Sequence, residues 1–130
     1  MITTKADKWF SYFIRLRDSD ENGFVRCCTC GLGRLWKYVD CGHYVGRQHN
    51  GSRFSETNCA GQCKGCNKFE EGRKDKHRDY ILKKYGQQEL DLIESSKRHN
   101  RQLKQFELDY IENEYKEKAK ALAKSKGIKI

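Results

Sequence analysis

The sequence predicts a small α+β protein stapled by a metal, and three observations predict it. Two cysteine pairs at metal spacing, Cys27-x2-Cys30 and Cys63-x2-Cys66, lie about thirty residues apart. A Cys-x2-Cys turn points two thiolates at one ion, and two such turns complete the tetrahedral shell of a structural zinc. Helical periodicity marks both ends of the chain, while the middle alternates short extended runs with connections rich in Gly, Asn and Ser. Of 130 residues only 36% are hydrophobic and 35% are charged, so a metal is expected to replace part of an oily core.

Composition also narrows the partners. The formal net charge of +9 suits a polyanion, and the basic residues are scattered through aromatic-rich loops and helices. That distribution favours nucleic acid over a membrane surface, which would need the charge massed on one amphipathic face. No apolar run approaches the length of a membrane span. Seven cysteines is an odd number, no signal-peptide pattern is present, and the pairs fall at zinc spacing. A reduced, cytoplasmic protein is expected.

Taken in order, Thr4 and Asp7 offer a capping box for a helix running to about Arg17. Trp9, Phe10, Phe13, Ile14 and Leu16 recur along it at helical spacing and give it one apolar face. Arg15 and Arg17 read as a solvated face rather than as phosphate contacts. Residues 18–23 are turn chemistry, and 24–26 form a short strand entering the first knuckle. Cys28 competes for the metal in principle, but one residue alone parts it from Cys30, so spacing favours Cys27. A second strand is expected over 35–40, with Trp36, Tyr38 and Val39 as its bulk, and a bend at Gly42 then presents His43.

Residues 46–56 form a long connection whose Arg47, His49 and Arg53 are placed to meet a phosphate backbone, although His49 reads better as a surface histidine without a task. A helix is expected from Cys66 or Asn67, carrying Lys68 and Arg73 and interrupted by Gly72. Further helices follow over 75–85, ended by Gly86, and over 87–95. The last helix is expected over 100–126, a rod of ~40 Å at ~1.5 Å per residue. Its seam of Leu103, Phe106, Tyr110, Ile111, Tyr115 and Leu122 suits a homodimer, an extended DNA-contact arm, or simple packing back on the domain. Cys41 and Cys59 fall outside the zinc spacing and read as buried small residues rather than a second site with a histidine.

Between and after the knuckles, His43 is followed by fourteen residues and Asn58, and Asn58 by eight residues and Asn67. This H-x14-N-x8-N pattern resembles the His-Asn-His nuclease motif with asparagine in the last place. The likeness extends to WFSYFIRLRD at 9–18, GHY at 42–44, SRF at 52–54, QCxxCN at 62–67, GQQELDLIES at 86–95, RHN at 98–100 and EYKEKAKAL at 114–122. Together these resemble the catalytic part of the lambdoid phage NinG/Rap recombination nucleases, over about residues 9–122. Members of that family can carry an additional basic, cysteine-containing N-terminal segment, which this chain is expected to lack.

The resemblance implies a zinc-braced ββα-metal core, treble-clef-like, over residues 1–96 with flanking helices, and a long C-terminal helix over 97–130. It implies a metal-dependent endonuclease acting on branched DNA such as Holliday junctions or D-loops, leaving 5′-phosphate and 3′-hydroxyl ends, in the bacterial host cytoplasm. His43 is the expected general base, since an imidazole with an ordinary pKa of about 6.5 can take a proton from water at neutral pH. Asn67 is an expected ligand for Mg2+ or Mn2+, both hard ions that accept amide oxygen, and Asn58 braces the segment behind the base. Arg47, Arg53, Lys68 and Arg73 are expected to meet DNA. Many superfamily members place Asp or His just before the base as a further ligand, where this chain has Gly42. Asp40, which shares the face of position 42 in a continued strand, is the candidate replacement or a mere strand-end charge; Glu70, Glu71 and His77 are alternatives. Rival readings are a non-catalytic zinc module that binds nucleic acid, and a nuclease cutting linear duplex.

Overall fold

The computed structural model describes residues 3–130. Helix α1, Lys5–Arg17, starts at the expected capping box: Asp7 N–H donates to Thr4 Oγ1 at 3.2 Å and Thr4 N–H donates to Asp7 Oδ2 at 2.9 Å. It buries Phe10, Ile14 and Leu16. Gly23, at φ 84°, closes the turn into β1, Phe24–Arg26, which pairs antiparallel with β2, Gly33–Leu35. The tip of this hairpin is the first cysteine knuckle.

The strand expected over 35–40 is split. Trp36–Tyr38 is a single 3-10 turn, and only then does β3, Val39–His43, begin. In a strand Trp36 and Tyr38 would share a face. Here Trp36 sinks among Leu16, Val25 and Ala119 while Tyr38 stays 62% exposed, so the backbone must turn between them. β3 pairs antiparallel with β4, Cys59–Cys63, in a register that sets His43 opposite Cys59 and Asp40 opposite Gln62. The loop between them includes a short helical turn, α2, Asn50–Arg53.

After β4 a single wide turn, Gly65–Phe69, carries Cys66 of the second knuckle and Asn67. The expected interruption follows, but it is broader than one glycine: Glu71, Gly72 and Arg73 all take positive φ, at 52°, 83° and 44°. Arg73 therefore stands before α3, Lys74–Tyr85, rather than on its early turns. Gly86, at φ 92°, separates α3 from α4, Gln87–Ser95, and the pair closes on Val45 through Ile81, Leu90 and Ile93.

The last helix, α5, Gln105–Ser125, starts later than expected because the preceding segment is held elsewhere: Asn50 N–H donates to Asn100 Oδ1 at 2.8 Å, and Asn50 Nδ2 to the Arg101 carbonyl at 2.9 Å. α5 packs along α1. Tyr115 meets the Phe10 ring edge-on at 4.9 Å, and Ala119 and Ala123 let the helices approach around Leu16. Phe106 and Tyr110, expected in the seam, are instead 69% and 70% exposed. The arrangement is mixed α and β, and no helix of the described residues is long and apolar enough to cross a membrane.

The two knuckles meet. The Sγ atoms of Cys27, Cys30, Cys63 and Cys66 all lie within 4.8 Å of one another, with Cys30 and Cys63 3.7 Å apart. Four thiolates on zinc at ~2.3 Å define a tetrahedron with edges of ~3.8 Å, so this cluster could hold such a metal with little movement. Although burial opposes it, hydrogen bonds from Thr29 and from backbone N–H groups bring Cys27 down to about 6, while burial and the neighbouring sulfurs push Cys30 up. One thiolate forms readily; a full set needs a cation among them. The Cys28 N–H donates to the Gly61 carbonyl at 3.0 Å and ties the first knuckle to β4.

His77 on α3 is fully buried between the Tyr44 and Tyr80 rings, and neither ring nitrogen has a partner among the described residues. Burial, with repulsion from Lys74 and His43, lowers its pKa to about 4.

Two predictions follow from this packing. Cys63→Ser is expected to lower the melting temperature by at least ~10 °C, followed by circular dichroism, because three sulfurs would hold an ion more weakly than four; an unchanged melt would remove the metal from the fold's support. Between pH 6.5, the ordinary histidine value, and about 4, the unfolded chain binds a proton at His77 that the folded chain refuses, so stability falls as pH drops through that window. His77→Leu should flatten this pH dependence relative to wild type in paired urea melts.

Candidate functional site

The β3–β4 hairpin positions the site. Val39, Cys41 and His43 alternate with Asp40 and Gly42 along β3. The His43 Nε2 lies 3.0 Å from the Arg53 carbonyl oxygen. A carbonyl only accepts, so Nε2 carries the proton and Nδ1 keeps the lone pair. Burial lowers the His43 pKa below its ordinary 6.5, opposed by the Arg53 and Cys41 backbone, which would stabilise the charged ring, and Arg47 adds to the lowering. The ring is therefore neutral at pH 7, with one nitrogen fixed and the other able to take a proton.

What fixes the carbonyl is Arg53 itself. Its Nε and Nη2 donate to the two Asp7 carboxylate oxygens at 2.9 and 2.5 Å, and both side chains are buried. Burial would raise the Asp7 carboxyl, but the hydrogen bonds from Arg53 and Thr4 prevail and hold it below the usual range. The expectation that Arg53 meets DNA is thus corrected: its side chain is 8% exposed and its guanidinium is spent on Asp7 in the first turn of α1. The sequence carried a signal for Asp7 only as a capping residue.

Asn58 is fully buried behind His43. Its Oδ1 accepts from Val45 N–H at 2.8 Å, and its Nδ2 donates to the carbonyls of Val45 at 2.9 Å and Ser52 at 3.2 Å. These bonds prolong the hairpin past the last ladder pair and hold the loop to which Arg53 belongs.

On the other side of His43, Asn67 Nδ2 donates to Asp40 Oδ2 at 2.9 Å, and Lys64 Nζ donates to Asp40 Oδ1 at 2.6 Å. Burial opposes ionisation of Asp40, yet the Lys64 and Asn67 hydrogen bonds hold its pKa down. A larger residue at Gly42 would have to displace Gln62. A Cβ built on it would fall 2.3 Å from Gln62 Oε1, because the Gln62 side chain crosses that position to reach Thr29 Oγ1 at 3.1 Å and the Gly72 carbonyl at 2.8 Å. Gln62 escaped sequence reasoning because only the strand register brings it over Gly42.

His43, Asp40 and Asn67 line one cleft of about 630 Å³, together with Arg15, Arg47, Lys68 and Lys74. Lys74, not foreseen from the sequence, donates its ammonium to the His43 carbonyl. Arg47 donates to Thr3 Oγ1 at 2.9 Å at the cleft's rim. Arg73, Glu70, Glu71 and His77 do not line this cleft, so among the carboxylates considered as ligands Asp40 alone reaches it. Mainly basic walls around a carboxylate, an amide and a neutral imidazole suit a phosphodiester and a small hard cation.

A family model described as Bacteriophage Lambda NinG protein matches residues 2–125. Protein ninG of Escherichia phage lambda is 32% identical over 126 residues, covering 90% of this chain and 60% of that protein. Protein ninG of Escherichia phage 933W is 31% identical over 126 residues, covering 90% of this chain and 61% of that protein. The chain thus spans about 60% of the length of the curated relatives it matches. No solved structure matches it. With a match that runs nearly from end to end, the chain belongs to the NinG family of bacteriophage proteins.

Proposed function

We propose that this protein is a metal-dependent DNA endonuclease of the His-Asn-His type with a ββα-metal core. The observation that carries the reading is the imidazole of His43, oriented through Nε2 by the Arg53 carbonyl and set in the same cleft as the Asp40 and Asn67 pair. The β3–β4 hairpin, the turn after Cys66 and α3 supply the elements such a core needs.

In this reading, Nδ1 of His43 takes the proton from the attacking water, and the neutral state favoured by burial keeps it ready to do so. Asp40 and Asn67 would hold Mg2+ or Mn2+ through hard oxygens, the Asn67 amide turning its Oδ1 inward in place of the Nδ2 that now donates to Asp40; the Lys64 ammonium 2.6 Å from Asp40 supports this carboxylate as a place for positive charge. Such an ion supplies positive charge where the scissile phosphate gains negative charge. Arg15, Arg47, Lys68 and Lys74 bind the flanking phosphates. Branched recombination DNA as the substrate rests on the likeness of the sequence motifs to the recombination nucleases.

His43→Ala should still bind a labelled four-way junction in a gel-shift assay yet cut it at least ~100-fold more slowly with Mg2+ or Mn2+ present. Wild type that binds and never cuts under any divalent ion would leave a nucleic-acid-binding zinc module instead. Linear arms cut as readily as the junction would remove branch selectivity. Because His43 must be neutral to act and its pKa lies below 6.5, cleavage should rise with pH along an acid limb centred below 6.5. Arg47→Gln, which removes a nearby positive charge, should move that limb upward in a pH-rate profile.

A further inference from the structure

The two cysteines left outside the four-sulfur cluster are not scattered. The β3–β4 register sets Cys59 directly across from His43, and Cys41 lies two residues before His43 on the same face of β3. One ligand atom from each of Cys41, His43 and Cys59 lies within 4.8 Å of the other two. Cys59 is buried against Phe10, Ile14 and Tyr115, while Cys41 and His43 line the cleft, which gives an ion a way in.

We propose that Cys41, His43 and Cys59 form a second metal site, selective for a thiophilic dication such as Zn2+ and separate from the four-cysteine cluster. Two thiolates and an imidazole are borderline-soft donors, matched to Zn2+ and poorly matched to Mg2+. Bond lengths of ~2.3 Å to sulfur and ~2.0 Å to nitrogen place tetrahedral ligand atoms ~3.5 to 3.8 Å apart, at least ~1 Å inside the 4.8 Å within which these atoms already lie. Two thiolates cancel the charge of the dication, so the filled site leaves no net charge beside Phe10 and Ile14. Filling it releases the thiol protons to solvent. The ring is also preset. With Nε2–H on the Arg53 carbonyl, the lone pair at Nδ1 is the one left for a metal, the carbonyl acting as the outer partner that metal-bound histidines use. The site offers three protein ligands, so one coordination position remains open.

One consequence rests on the nuclease reading: an ion here occupies the lone pair that a general base needs, so zinc binding and proton abstraction exclude each other. The site itself does not depend on that reading. The test is a Co2+ titration of the full chain, with Zn2+ uptake measured by equilibrium dialysis in parallel. Wild type should take up two equivalents, the second giving a tetrahedral Co2+ spectrum with weaker thiolate charge-transfer absorption than the four-sulfur site. Cys41→Ser and His43→Ala should each weaken the second equivalent at least ~100-fold while keeping the first, which also reports that the variant is folded. A wild type that saturates at one equivalent, or a second equivalent that survives in both variants, would overturn the proposal. With junction cleavage as a further readout, added zinc should inhibit wild type and spare Cys41→Ser; zinc binding without any cleavage would sink the nuclease reading and leave the metal site standing.

Discussion

The arrangement depends on one buried ion pair, Asp7 with Arg53. It joins the first turn of α1 to a loop 46 residues further on, and both partners are almost wholly removed from water. Breaking such a pair strands a charge, at a cost of about 3 to 5 kcal/mol. The geometry makes it more than a brace. Asp7 closes the helix cap, Arg53 reaches it with two parallel bonds, and the backbone oxygen of the same arginine orients His43. Helix start, loop and imidazole are consecutive links of one polar chain.

A second constraint acts from the opposite side. The cysteine cluster gathers the β1–β2 tip and the end of β4, and Asn67 follows Cys66 directly. Holding those sulfurs together therefore fixes the start of the turn that brings Asn67 to Asp40. In a chain with so little apolar material, the four thiols and the α1–α5 interface divide the work that a larger core would do alone. α5 is consumed in this task along Tyr115, Ala119 and Ala123, which leaves Phe106 and Tyr110 facing outward beyond the reach of α1.

What the sequence disclosed is what short-range chemistry decides. The Thr4 cap, the Cys-x2-Cys turns and the break at Gly86 each depend on residues within a few positions, and each stands where the spacing put it. The splitting of the 35–40 strand was hidden because alternation cannot tell Trp36 in a core from Tyr38 in water until the neighbouring helices are placed. Arg53 looked like a phosphate contact because its partner lies far away in sequence. The grouping of Cys41, His43 and Cys59, and the passage of Gln62 over Gly42, are products of strand register, which no local pattern encodes.

The crossing of Gln62 over Gly42 has an evolutionary reading. Two diagonal positions of the hairpin compete for the same few cubic ångströms, so a chain with a carboxylate or imidazole ahead of its histidine needs the side chain at 62 to be shorter or to turn away. The glycine and the glutamine are one trait written at two places. Changing one without the other crowds the hairpin, and Asp40 is the carboxylate that the present pairing leaves in contact with Asn67.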